Sequence, residues 1–257
     1  MTFKHIISRD NVLFKQLKKL AESSRERRKL GETLLDGAHL VNTYLEVFGE
    51  PKLLVIAEGQ STAEVSHLIQ QLADIPTVMF PTLMFAELSP VASPTGIIAL
   101  VKTPVIEPIA APKFTLMLED IQDPGNLGSM LRTAAAAGVD AVYLSEGCTE
   151  AWSPKALRGG QGAQFVLPIV ERTNLLEVAS NFAGNVLATT LRGESLYDLD
   201  LSQPTAIAIG NEGSGLSDGM IKASTHQVTI PISAGVESLN AAAAASVCLF
   251  ERVRQTS

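Results

Sequence analysis

Cysteine, histidine and aromatic side chains are scarce in this 257-residue chain, which has two Cys, four His and one Trp, with Phe, Trp and Tyr together at 5%. Cys148 and Cys248 lie 100 positions apart with no CxxC pair and no clustered histidines. Neither a disulfide framework nor a zinc site is readable, and no metal is expected. No uninterrupted apolar run approaches the roughly 18 residues of a membrane-spanning helix. The opening stretch MTFKHIISRDNVLFKQ lacks the apolar core of a secretory signal. A cytoplasmic protein that does not enter the membrane is therefore the expectation. Positive charge is also short, with 20 Lys+Arg against 27 Asp+Glu and a net charge of −7, which excludes a protein that coats a polyanion with its whole surface.

What is present is a folded composition, 46% hydrophobic and 18% charged, together with an uneven charge distribution. Residues 1–30 carry nine Lys and Arg against three Asp and Glu; the remainder carries 11 against 24. A basic arm on an acidic body is a footprint of phosphate binding, and the cluster SSRERRKLGE makes Arg25, Arg27, Arg28 and Lys29 the RNA-binding candidates. On charge alone, a solvated helix fits equally well.

Apolar runs alternate with amphipathic segments from about residue 33, as in an α/β protein. Strands are predicted near 33–37, 52–57, 77–80 and 96–101, and the helix from Ala38 places Leu40, Tyr44, Val47 and Phe48 on one face. The Pro-rich stretch 102–113 reads as a linker between a domain over 1–101 and a second over 114–257. The second half restarts with FTLMLED (114–120), a helix near 127–138 and a strand at 140–145, with later strands near FVLPIV, NVLATT, AIAIG and QVTIP. The last helix is predicted over 238–254. Alanine runs at 134–137 and 241–245 favour close helix packing.

Three loops follow predicted strands with Gly, Asn and charged residues, the place where open α/β sheets bind ligands. In LEDIQDPGNLGSMLRTAAAAG, Asn126 and Arg132 lie six positions apart across a helix start; Asn126 as a helix cap and Arg132 in an ordinary ion pair is the plainer alternative. AIAIGNEGSGLSDG fails the phosphate-loop pattern, which requires lysine where Leu216 stands, and fails GxGxxG, which requires glycine where Asp218 stands. VTIPISAGVESLNAAAAASV ends a strand at Ile230 and Pro231 and opens a helix near Ser238 and Asn240, either of which could be a helix-start residue.

Taken in order, these segments resemble the three signature motifs of the SpoU, or TrmH-like, RNA 2′-O-ribose methyltransferases. Motif one is carried by Asn126, Gly128 and Arg132-Thr133-Ala134. Motif two is carried by Gly210-Asn211-Glu212-Gly213 with Gly215-Leu216, and motif three by Ile230-Pro231 and Glu237-Ser238-Leu239-Asn240. The resemblance implies a SPOUT α/β domain with a trefoil knot, preceded by a smaller α/β substrate-binding domain, in a homodimer. It implies S-adenosylmethionine as cofactor, held by the backbone at Gly210, Ile230 and Leu239 in a pocket shaped by Asn211, Glu212 and Pro231, with Thr189 added. Arg132 would hold the ribose hydroxyl or a neighbouring phosphate, because a guanidinium stays protonated and is no easy base, and Asn126 would orient either Arg132 or the ribose. Glu212, Ser238 and Asn240 would complete the polar network.

Two departures from the family pattern stand out. Gly160 and Gln161 replace its usual serine and methionine, and Ala241 follows Asn240 where valine is usual. Three competing functions remain beside ribose methylation of tRNA or ribosomal RNA. One is an RNA-binding module without turnover, and another is methylation of a tRNA base nitrogen. The third is the release-factor tripeptide at Gly159-Gly160-Gln161, which is weak without its context.

Overall fold

The computed structural model describes residues 3–60 and 62–257. The chain forms strand β1 (Lys4–His5), helices α1 (Val12–Glu22) and α2 (Ser24–Leu30), β2 (Glu32–Asp36), α3 (Ala38–Phe48), β3 (Leu53–Ala57), α4 (Ala63–Gln71), β4 (Thr77–Phe80), α5 (Thr82–Ala86) and β5 (Ile97–Lys102). It continues with β6 (Phe114–Leu118), α6 (Pro124–Ala136), β7 (Ala141–Leu144), α7 (Pro154–Gly160), β8 (Ile169–Val170), α8 (Leu175–Asn181), β9 (Asn185–Ser195), β10 (Thr205–Ile209), α9 (Asp218–Ala223), β11 (His226–Thr229) and α10 (Ala241–Thr256). These elements divide into two compact units: Met1–Pro104 with Trp152–Phe165, and Val105–Ala151 with Val166–Ser257.

The first unit is a five-stranded sheet of order β1-β4-β3-β5-β2, in which β5 runs antiparallel to β2 and β3. Helix α1 starts at Asn11, whose side chain accepts from the Leu13 N–H. It buries Phe14, Leu17 and Leu20 against Leu34, Val55, Val78, Phe80 and Ile98. The spacing of three is that of one helix face. Phe14 meets Phe80 edge-on at 5.3 Å, the arrangement favoured by the ring quadrupoles.

The expected continuous second domain over 114–257 is interrupted, because residues 152–165 pack into the first unit. The Thr33 hydroxyl donates to the Trp152 carbonyl at 2.7 Å, and the Phe165 ring lies 5.6 Å from Tyr44 and 6.1 Å from Phe48. The same segment corrects the strand expected from Phe165 to Val170. Ala163–Phe165 form a 3-10 turn, which leaves only Ile169–Val170 in the sheet.

The second unit is an all-parallel six-stranded sheet of order β11-β9-β10-β6-β7-β8. Its central strands β6 and β10 are buried throughout, as a parallel sheet covered on both faces requires. On one face Met117, Val186, Ala188, Ala206 and Ala208 pack against Leu175 and Ala179 of α8 and Met220 of α9. Helix α10 packs against α6 and β10. Ala134, Ala242 and Ala245 are buried, and the Thr133 and Ser246 hydroxyls lie 3.3 Å apart. The small side chains admit that close approach. Both cysteines are free.

Candidate active site at the carboxyl ends of the second sheet

The carboxyl ends of β6, β9, β10 and β11 release four loops on one edge of the parallel sheet. After β6, Asp123 caps α6 by accepting from the Asn126 N–H at 2.8 Å, and Pro124 occupies the first helical position, where no N–H is needed. The cap is therefore Asp123, and the Asn126 carboxamide is left for other work. After β10 the chain closes a tight turn. The Asn211 side-chain oxygen accepts from the Gly213 and Ser214 N–H groups at 2.9 and 3.0 Å, while its amide donates to the Asp120 carbonyl at 2.8 Å. Backbone bonds between Asn211 and Gly215 complete the turn. Gly210 enters it where a Cβ would lie 2.2 Å from the Gly215 carbonyl carbon and the Leu216 nitrogen.

Glu212 ties the loops together. Its carboxylate accepts from the backbone N–H groups of Gln122 and Asp123, each at 3.2 Å, and from the Asn126 amide at 3.1 Å. The Asn126 side-chain oxygen in turn accepts from the Asn240 amide at 3.1 Å. Asn240 also caps α10 through the Ala242 and Ala243 N–H groups, so the last helix begins at Ala241 and not at the expected position 238. One residue from each motif is thus joined in a single hydrogen-bonded chain. Partial desolvation raises the Glu212 pKa, but the hydrogen bonds from Asn126 and the backbone N–H groups outweigh it and hold the carboxyl below its ordinary value near 4.5. A group with a lowered folded-state pKa contributes stability that is present above its ordinary value and lost as pH falls through the folded value. The stability that Glu212 contributes is accordingly expected to stay flat from neutral pH down to the ordinary carboxylate range and to fall only below it. Urea unfolding at stepped pH, with Glu212→Gln beside the wild type, checks this.

Beside this chain lies a cavity of about 340 Å³, within the size range of small-ligand sites. Its walls include Thr189, Gly210, Asn211, Glu212, Ile230, Ser238 and Leu239 from the predicted set. Ile209, Leu216 and Val228 add apolar surface, and Glu237 adds a second carboxylate. Apolar walls beside two carboxylates suit a ligand with an apolar body and a cationic group. Thr189 is fixed by donating to the Ala208 carbonyl at 2.8 Å.

The remaining predicted residues divide. Pro231 is exposed and does not line the cavity, and neither do Asn126, Arg132 and Asn240. Arg132 is exposed on α6 with no hydrogen-bond or ion-pair partner among the described residues. Of the two expected partners of Asn126, Arg132 makes no hydrogen bond to it, because six residues are one and two-thirds helical turns and the Asn126 carboxamide is engaged with Glu212 and Asn240; the ribose is the alternative that is left. Arg25, Arg28 and Lys29 are exposed on α2, whereas Arg27 is buried and donates to the Leu20 and Ala21 carbonyls at 2.5 and 3.1 Å. It closes the carboxyl end of α1, which corrects its expected role as an RNA contact. Arg27→Ala should lower stability by about 2 kcal/mol and Arg28→Ala by less than about 0.5 kcal/mol, as measured by urea unfolding.

Thr190, Leu191, Ile232 and Ala244, which stand outside the three motifs, also line the cavity. Thr190 and Leu191 enter it because β9 leaves its ladder. Ala188 pairs with Gln227, but the next pair is Glu194 with Val228. No composition signal marks that excursion. Among the described residues, no helix is long and apolar enough to cross a membrane and no group of His, Cys, Asp or Glu could hold a metal.

Fold and site together define an α/β enzyme that holds a small cofactor at the end of a parallel sheet, and the known proteins it resembles specify the kind. The model of the SpoU rRNA methylase family matches residues 113–250, and that of the MRM3-like substrate binding domain matches residues 11–99. The chain belongs to the SpoU rRNA methylase family. It is 33% identical to the 23S rRNA (guanosine(2553)-2′-O)-methyltransferase RlmP of Bacillus subtilis, over 96% of this chain and 98% of that one. A solved RNA 2′-O ribose methyltransferase is 29% identical with a TM-score of 0.85, covering 98% of both chains. The SpoU methyltransferase AviRb of Streptomyces viridochromogenes, solved with AdoMet, is 26% identical with a TM-score of 0.85, covering 95% of this chain and 98% of that one.

Proposed function

We propose that the protein methylates a ribose 2′-hydroxyl in ribosomal RNA, with S-adenosylmethionine as methyl donor. Membership of the SpoU family makes it an S-adenosylmethionine-dependent RNA 2′-O-ribose methyltransferase. Ribosomal RNA is favoured over tRNA because relatives matched over nearly the whole chain, in Bacillus subtilis and Streptomyces viridochromogenes, are named as 23S rRNA methyltransferases. The observation that carries the site assignment is the Glu212–Asn126–Asn240 chain, which locks all three motifs beside the cavity.

The cofactor, when bound, supplies an electrophilic methyl group; alignment and charge are the protein's share. Gly210, Asn211, Ile230 and Leu239 form the cofactor pocket, with Thr189 and Glu212 at its edges. Arg132 is an exposed cation on α6, the helix that carries Asn126, with no partner among the described residues. Its forked donors hold the ribose hydroxyl or an adjoining phosphate and stabilise the charge that develops on the oxygen as its proton leaves to water. Asn126 is a positioning residue, acting through Glu212 and Asn240. Ser238, exposed on the cavity wall, contacts the incoming nucleotide. Arg25, Arg28 and Lys29 add phosphate contacts from α2.

In this reading the protein works as a cytoplasmic homodimer with the knotted chain its family implies. Labelled methyl transfer to unmethylated transcripts is the test of substrate class. Ribosomal RNA should accept label while tRNA does not. Label confined to tRNA would contradict the assignment.

A further inference from the structure

The excursion of β9 carries a residue that neither motif nor cavity lining assigns. Five residues, Thr189 to Gly193, separate the β9 positions that face neighbouring residues Gln227 and Val228 of β11. Such bulges re-aim side chains next to active sites. This one is held in place: the Thr189 hydroxyl donates to Ala208 on β10, and the Thr190 hydroxyl donates to the Arg192 carbonyl at 2.6 Å. Gly193 closes it where a Cβ would stand 2.3 Å from the Gln227 carbonyl oxygen, so the return to the ladder admits no other residue. Leu191 lines the cavity and is yet 72% exposed, which sets it at the mouth. Arg192 follows it, exposed, and its guanidinium has no partner among the described residues.

The geometry points to Arg192 as a substrate-binding residue that holds a phosphodiester of the RNA strand carrying the target ribose, with Leu191 as an apolar shelf for the adjoining nucleotide. This rests on the methyltransferase reading above. Glu212 and Glu237 line the same cavity, so a polyanion reaching the cofactor meets two carboxylates unless a cation at the rim offsets them. A guanidinium suits that task, because its planar fork binds phosphate bidentately and stays charged. The loop that bears it is ordered by its own hydrogen bonds before the substrate arrives, which limits the ordering cost of binding.

The experiment compares wild type, Arg192→Gln and Arg192→Lys in methyl transfer to an unmethylated ribosomal RNA transcript, at varied RNA and salt concentrations. Cofactor affinity is measured in parallel by calorimetry. Arg192→Gln should raise the KM for RNA about tenfold with kcat within about twofold, reduce the salt slope of RNA binding by about one, and leave cofactor affinity unchanged. Arg192→Lys should restore the slope and only part of the KM. An active wild type with unchanged KM and slope in Arg192→Gln overturns the proposal alone, as does a loss of cofactor affinity, which would make Arg192 itself part of the cofactor pocket. No transfer to RNA by the wild type overturns the methyltransferase reading and this inference with it.

Discussion

Replacing Arg132 with alanine should lower kcat for methyl transfer about 10²–10³-fold, the loss seen when one donor to a developing oxyanion is removed. Stability and cofactor binding should not move. The side chain is exposed and makes no hydrogen bond or ion pair among the described residues, so its removal strands no partner and opens no cavity. Arg132→Lys keeps the charge and loses the fork, and an intermediate rate is expected. Single-turnover kinetics with excess enzyme, beside a melting curve and a cofactor titration for each variant, separates chemistry from folding and binding. An Arg132→Ala enzyme of normal rate would remove the guanidinium from the reaction.

Gly210→Ala should abolish cofactor binding and cost about 3 kcal/mol or more of stability. The added Cβ meets backbone atoms, the Gly215 carbonyl carbon and the Leu216 nitrogen, both at 2.2 Å. No side-chain rotation relieves a contact with main chain, and the turn that would have to open carries Asn211 and Glu212. Gly213→Ala is the control within the same loop. Its Cβ would find only the Asn211 side-chain oxygen at 3.5 Å, an ordinary contact, and a stability change within about 1 kcal/mol is expected. Thermal unfolding with and without S-adenosylmethionine checks both variants: Gly210→Ala should lose the ligand-induced rise in Tm, and Gly213→Ala should keep a folded state of near wild-type stability.

The alternation of strands and helices and the glycine loops at strand ends were legible because both are local. A buried parallel strand such as FTLML is apolar throughout, and a turn like that at Gly210 excludes every side chain. What was not legible depends on partners distant in sequence. Residues 152–165 join the first unit through a Trp152 carbonyl that meets Thr33 and a Phe165 ring that meets Tyr44 and Phe48, and no periodicity announces such a choice. Arg27 sits in a run of charge that reads as solvated, yet it alone in that run reaches back to the carbonyls ending α1. The pairing of Asn126 with Glu212 and Asn240 spans 86 and 114 positions. Spacing within motif one offers Arg132 as a partner, because sequence alone does not bring Glu212 and Asn240 beside Asn126. The excursion of β9 is a matter of ladder register, which composition does not encode.

The central claim is that methyl is placed on a ribose oxygen. It is tested most directly by incubating an unmethylated ribosomal RNA transcript with the protein and labelled S-adenosylmethionine and then cleaving the product with alkali. A 2′-O-methyl group removes the nucleophile that alkaline cleavage needs, so label should be retained in an uncleaved dinucleotide, at one position, and fall about 10²–10³-fold at matched early times with Arg132→Ala. Label released in mononucleotides would place the methyl on a base and contradict it.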